Sequence, residues 1–282
     1  MKLLRYGERG SEKPGLLDED GNIRDLSAHI PDLGPETVTP ETIDRLRSVD
    51  TASLPRVQGS PRIGSCVSRM PNFHAIGLNY AKHAEESGVP APVEPVLFSK
   101  ATSSLSGPFD DVVIPKGSLK TDWEVELGVV IGQRCEHVSE AEAPGRIAGY
   151  CVINDVSERA FQLESTGQWI KGKSAPTFGP AGPCLVTADE VADPQDLNLW
   201  LVLNGERVQD GHTSDMIFPV AEIVSYMSRY MALLPGDVIA TGTPQGVGLG
   251  MKPPRFLKPG DEMRPGVEGL GEQRQKAVAY GD

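Results

Sequence analysis

Between residues 122 and 129 apolar and acidic positions alternate. In an extended segment Trp123, Val125, Leu127 and Val129 share one face, and Asp122, Glu124 and Glu126 share the other. Val130 and Ile131, which follow, are apolar too, so the acidic face does not read as a freely solvated one. In a strand, the Cα atoms of Glu124 and Glu126 would lie about 6–7 Å apart. Two like charges that close and partly desolvated raise one another's pKa or weaken the fold, and a divalent cation removes the conflict. From this stretch alone, an exposed edge strand with a charged face explains the alternation equally well.

Short apolar runs punctuated by Gly and Pro continue through the chain. They predict strands at 75–80, 96–100, 111–115, 123–132, 148–155, 199–206 and 237–242. Helical spacing is credible at 81–87, 156–165 and 219–233. Residues 1–60 alternate β-like runs with acidic turns and add a short helical pattern at 41–49. Pro55, Gly59, Pro61 and Gly64 suggest a boundary, giving a small N-terminal module (1–60) and a main domain (61–282). The fold class expected is α+β and β-rich.

The chain has 282 residues, 39% hydrophobic and 23% charged, enough for a sizeable core. No apolar run reaches the roughly 18–20 residues a membrane span needs, and the N-terminus lacks the apolar segment of a secretion signal. Cys66, Cys135, Cys151 and Cys184 are scattered, which suggests neither a zinc ribbon nor a disulfide framework and makes a reducing cytoplasm the simplest location. A net charge of −12 argues against nucleic acid as a partner, although a local cation could still attract an anionic substrate.

Two glycine-rich patterns fail on context. Gly167–Ser174 reads G-x-x-x-x-G-K-S, but a helical pattern precedes it and Ala-Pro-Thr follows, so neither the strand nor the helix of a phosphate-binding loop is present. Gly242, Gly246, Gly248 and Gly250 follow a strand but run into a proline-rich segment, and no dinucleotide-binding helix opens there. The candidates that remain are polar. Asp155 ends an apolar strand and could be an ordinary helix N-cap with Glu158 in a capping box, or a third carboxylate beside Glu124 and Glu126. Three acidic oxygens with open positions suit Mg²⁺ or Mn²⁺. Arg159 and Gln162, three residues apart on one helical face, are surface residues or hold a substrate carboxylate. His83 and Glu86 form a similar pair, either a solvated charged turn reinforced by Lys82 or an imidazole oriented as a general base.

Taken together, the blocks AIGLNYAKHAEESG, FSKATSSLSGPFDDVVIP, DWEVELGVVIG, GYCVINDVSERAFQ, GQWIKGKS, TFGPAGP and PGDVIATGTPQGVGLG resemble the fumarylacetoacetate hydrolase family over residues 72–272. The wording is most similar to a bacterial branch of 2,4-diketo-3-deoxy sugar acid hydrolases, whose members also carry the names ureidoglycolate lyase and 2-hydroxyhepta-2,4-diene-1,7-dioate isomerase. The resemblance implies a mixed, rolled β-sheet, a homodimer, and Mg²⁺ or Mn²⁺ held by Glu124, Glu126 and Asp155. It implies a water-activating dyad of His83 and Glu86 on a lid, an active-site Lys173, and Arg159, Gln162 and Thr243 against the substrate. The reaction implied is hydrolysis of a carbon–carbon bond in a small anionic keto acid, a 2,4-diketo acid. The alternatives on the same metal site are decarboxylation of an oxaloacetate-like acid, isomerisation of a 2-hydroxy-dienoate or ureidoglycolate cleavage, and a different-class alternative is a non-catalytic member that keeps the metal as a staple. One departure stands in the motif after the lysine: relatives read GKS-x-D-T-F, and this chain has Pro176 where Asp is expected.

Overall fold

The computed structural model describes residues 1–164 and 166–281. The segment Val125–Ile131 is a strand with every residue buried, and its neighbour Ile147–Asn154 is buried throughout as well. That double-sided burial explains why 123–132 continues into an apolar run after its acidic positions. The two strands pair antiparallel, and Gly128 is needed where they meet: a Cβ there would lie 2.6 Å from the Ile153 side chain and 2.8 Å from the Cys151 sulfur.

Around this pair, among the described residues, grows a ten-stranded mixed sheet. Its main path runs Ile23–Asp25, Lys13–Leu17, Lys2–Tyr6, Gly179–Thr187, Ile147–Asn154, Val125–Ile131, Val238–Ala240, Phe73–Gly77, Val96–Lys100. Val238–Ala240 runs parallel to Phe73–Gly77, and the other neighbours along the path are antiparallel. A second, six-stranded sheet contains Asn198–Leu203, Glu206–His212, Glu262–Val267 and Gln275–Val278. The hairpin between the first two of these turns on Asn204 and Gly205, both at positive φ, as a tight two-residue turn requires. The chain is thus β-rich α+β with open mixed sheets. No helix among the described residues is long and apolar enough to cross a membrane.

Residues 2–25 add three strands to one edge of the large sheet, and Leu3, Leu16 and Leu26 pack in one core with Phe73, Val130 and Ile153. The segment with Pro55, Gly59, Pro61 and Gly64 folds back on the first strands, with bridges from Tyr6 to Ile63 and Arg24 to Arg56. The predicted helices form but are shorter. Ala81–Glu86 ends with Ser87 as C-cap and Gly88 at φ 72°. Val220–Ser228 replaces 219–233 because Leu233 bonds to Cys135 through its backbone and Pro235 follows. Within 156–165 the helix is Arg159–Leu163; Ser157–Glu158 pairs with Thr121–Asp122 instead, and position 165 lies outside the described residues. Asp155 is therefore not the N-cap: Glu158 caps that helix by accepting from Ala160 N.

A chain of alternating charges ties the N-terminal strands to the rest. Arg5 bonds Asp32 and Glu12, and Arg62 bonds Glu12 and, through two nitrogens, Asp110. Burial pushes the Glu12, Asp32 and Asp110 carboxyls up, but their arginine partners and other hydrogen bonds outweigh it and hold all three below the usual range. A depressed carboxyl contributes stability that is complete above its unfolded pKa, near 4, and is lost as pH falls through the folded value. The stability these three carboxylates contribute is expected to hold from pH 8 to about 5 and to be lost below about 4. Arg62→Met should cost about 1–3 kcal/mol at pH 7 and flatten the acid limb. Calorimetry from pH 3 to 8 checks this; parallel curves for both proteins would remove the assigned role.

Candidate active site

The alternation in 122–126 places three carboxylates along one side of a buried segment, and the following strand brings a fourth. One ligand oxygen each from Glu124, Glu126 and Asp155 fall within 4.8 Å of one another. All three residues are at most 3% exposed, so no solvent layer separates their charges. Asp155 is positioned by its backbone N–H, which donates to the Glu124 carbonyl at 2.8 Å just past the Ile147–Asn154 strand.

Three buried cations answer these charges. Lys173 Nζ lies 2.5 Å from Glu124 Oε2 and 2.7 Å from Asp155 Oδ2. Arg159 Nε donates to Asp122 Oδ2 at 2.8 Å, its Nη2 lies 2.7 Å from Glu124 Oε1, and its Nη1 donates to Gln162 at 3.1 Å. Lys100 Nζ pairs with Asp155 Oδ1. Burial raises the Glu124 carboxyl, but Lys173 and Arg159 outweigh burial and hold it well below the carboxylate range. Glu126 behaves oppositely. Burial, then the Asp155 and Glu124 charges, push it far up, against a single backbone hydrogen bond from Gly242 N at 2.7 Å and the more distant Lys173. Burial lowers Lys173 less than Asp155 and Glu124 raise it, so its ammonium is reinforced. For Lys100 burial prevails and the pKa is lowered.

His83 and Glu86 form the pair their spacing allows, with Nδ1 2.9 Å from Glu86 Oε1 and the imidazole buried. Glu86 also accepts from Gly246 N, and its carboxylate lies 2.7 Å from where a Cβ of Gly250 would stand. This turn is therefore not the solvated charged one: the glycine loop after Thr243 holds it. A cavity of about 130 Å³ is lined by His83, Glu124, Glu126, Asp155, Arg159, Gln162, Lys173 and Thr243 together with an apolar wall. The cavity thus gathers the sequence-derived candidates except Glu86, which reaches it through His83. Thr243 differs from expectation in its bonding, since its hydroxyl donates to Val125 O and accepts from Gln209, leaving no proton for a substrate carboxylate in this arrangement. Pro176 lies exposed in the turn after Lys173 and is not part of the cavity wall.

Two further residues escaped the sequence reading. Lys100 ends the strand Val96–Lys100, and its signal was a cation closing an otherwise mostly apolar run. Asp122 accepts from Trp123 N, Gly248 N, Leu249 N and Arg159, so it fastens the glycine loop to the cationic side of the site. Its place on the acidic face with Glu124 and Glu126 was visible, whereas the loop that approaches it from residues 248–249 was not.

The donor set fits a hard divalent cation: three carboxylates in one buried group, one of them with no cation directly bonded to it. Such a cluster inside a cavity of an open β-rich fold is the outline of an enzyme site. The profile described as Fumarylacetoacetate (FAA) hydrolase C-terminal matches residues 72–278, and the chain belongs to the fumarylacetoacetate hydrolase family. A Burkholderia ambifaria protein that carries only a generic hydrolase name is 61% identical over 276 residues, 98% of each chain. A maleylpyruvate hydrolase from Sphingobium sp. SYK-6, solved with manganese(II) and pyruvate, shares 27% identity over 99% of each chain with a TM-score of 0.82. A 2-hydroxyhepta-2,4-diene-1,7-dioate isomerase from Mycobacterium marinum shares 30% identity over the whole of each chain with a TM-score of 0.74.

Proposed function

We propose that the protein hydrolyses a 2,4-diketo acid, R–CO–CH₂–CO–COO⁻, with water to a carboxylic acid, R–COOH, and pyruvate. The observation that carries this reading is the charge balance beside the dyad. With every group ionised, Asp122, Glu124, Glu126 and Asp155 set four negative charges against three positive ones on Lys100, Arg159 and Lys173, all buried. With a divalent cation added, the balance turns from −1 to +1, which suits one substrate carboxylate. When bound by Glu124, Glu126 and Asp155, Mg²⁺ or Mn²⁺ supplies Lewis acidity to the keto-carboxylate end of the substrate.

His83, with Nδ1 held by Glu86, takes a proton from water through Nε2, and the resulting hydroxide attacks the C4 carbonyl. The C3–C4 bond breaks, C4 leaves as the carboxylic acid, and the electron pair stays on C3 as the enolate of pyruvate, which a proton then quenches. Lys173 spends two N–H bonds on Glu124 and Asp155 and keeps a third for the oxygen on which enolate charge develops. Arg159 and Gln162 line the same cavity and face the substrate carboxylate.

The dyad separates hydrolysis from reactions that need the enolate alone, namely decarboxylation or the isomerisation named for the Mycobacterium marinum protein. His83→Gln should lower kcat for pyruvate release by about 10²–10⁴ while leaving metal-induced stabilisation in place. Steady-state kinetics with a coupled pyruvate assay checks it. A variant that keeps more than a tenth of the activity would shift the assignment to enolate chemistry without water attack.

A further inference from the structure

Arg159, Glu124, Lys173 and Asp155 in the cavity lining form one ion-paired cluster. The ionisable lining residues are Glu124, Glu126, Asp155, Arg159, Lys173 and His83, and each is bonded inside the protein, Glu126 through the Gly242 N–H. The rest of the lining is apolar apart from Ser87 and the already bonded Gln162 and Thr243. Val89 and Leu163 on this wall are 40% and 47% exposed, large apolar side chains turned to solvent at the edge of the cavity.

The apolar wall is built rather than incidental. Leu78 holds φ at 57°, a conformation that costs a non-glycine residue energy, and Asn79 fixes it there by bonding the Phe218 and Thr241 backbone. Trp169 stacks edge-on against Phe98 at 5.2 Å, and it closes so tightly on Gly77 that a Cβ there would lie 2.3 Å from the indole. A second carboxylate on the far end of a substrate would lose its water against these surfaces and meet no unpaired cation among the described lining residues. A string of hydroxyls would lose most of its hydrogen bonds in the same way.

We propose that the acyl group released with the new carboxylate is uncharged and apolar, an alkyl or aryl chain received by Leu78, Val89, Leu163, Trp169 and Leu249. This rests on the acylpyruvate reading of the same site and sets aside both diacid and sugar-derived substrates. The wall then acts as a filter: it gains with each buried methylene and rejects charge.

The test uses the Mn²⁺-loaded full chain and pyruvate release from 2,4-dioxopentanoate, 2,4-dioxooctanoate, 4-phenyl-2,4-dioxobutanoate, fumarylpyruvate and a 2,4-diketo-3-deoxy sugar acid. Expected is a rise in kcat/KM of roughly threefold to fourfold per methylene, and a preference of about 100-fold or more for the apolar acids over the diacid. Leu163→Arg, at a half-exposed position outside the ion-paired cluster, should narrow that preference at least about tenfold. A diacid or sugar-derived acid that equals or exceeds the apolar ones overturns the proposal. If no diketo acid releases pyruvate, the hydrolase reading fails, and thermal shifts with Mn²⁺ decide the pocket separately. A larger shift from 2-oxohexanoate than from 2-oxoadipate upholds the apolar wall, and an equal or smaller one removes it.

Discussion

Glu126→Gln should abolish metal-dependent turnover and at the same time raise the melting temperature of the metal-free protein. The two effects have one cause. Glu126 is 2% exposed, its carboxyl is pushed far up by burial and then by Asp155 and Glu124, and its direct partner is the Gly242 N–H. A carboxyl whose folded pKa exceeds its unfolded value costs stability progressively as pH rises above the unfolded value, near 4.3, until the folded value is passed. Glutamine keeps the shape, still accepts from Gly242 N, and cannot ionise. The metal-free variant should gain about 1–3 kcal/mol near pH 8 and little near pH 4. The wild type should be stabilised by Mn²⁺, by about 2.7 kcal/mol at one hundred times Kd, and the variant much less. Thermal melts at pH 4, 6 and 8, with chelator and with Mn²⁺, measure both arms. A variant less stable than wild type in chelator would show that Glu126 is compensated in the native state without a metal.

Lys173→Met should act in the other direction. The ammonium bridges Glu124 and Asp155 at 2.5 Å and 2.7 Å in a setting closed to water, and burial makes it irreplaceable by solvent. Breaking a buried ion pair from one side leaves charge uncompensated and costs about 3–5 kcal/mol. Arg159 still faces Glu124 and Lys100 still faces Asp155, which favours a folded variant. Divalent cation should restore part of the lost stability by neutralising the same oxygens, yet kcat should stay about 10²–10³ lower, because the enolate loses its nearest N–H donor. Chemical denaturation with and without Mn²⁺, alongside kcat, tests this. Unchanged metal-free stability would mean that the two carboxylates do not depend on the lysine.

Local chemistry made part of this site legible in the chain. Glu124 and Glu126 stood out because a period of two put charge where the neighbouring residues demanded burial, and the His83–Glu86 spacing fixed a contact that Gly88 then terminates as expected. Asp155 was open between cap and ligand; the pairing of Ser157–Glu158 with Thr121–Asp122 removes the cap, since it moves the helix start to Arg159. What could not be read is long-range. Lys100 meets Asp155 from a strand 55 residues away, and Asp122 receives the loop at 248–249 from across the fold. Helix lengths were overestimated for a related reason: the backbone of Leu233 is claimed by Cys135, a partner that sequence spacing does not show. The first 60 residues show the same limit, because the pairing of their first strand with Gly179–Thr187 in the main sheet joins positions far apart in the chain.

Carbon–carbon cleavage that depends on the carboxylate triad is the central claim. The most direct measurement follows a 2,4-diketo acid by proton NMR with the purified protein, with Mn²⁺ and after chelation. The predicted result is pyruvate and the matching carboxylic acid in equal amounts, released only with the metal and lost in Glu124→Ala. Equal rates in chelator, or conversion of the substrate without a carboxylic acid product, would contradict it.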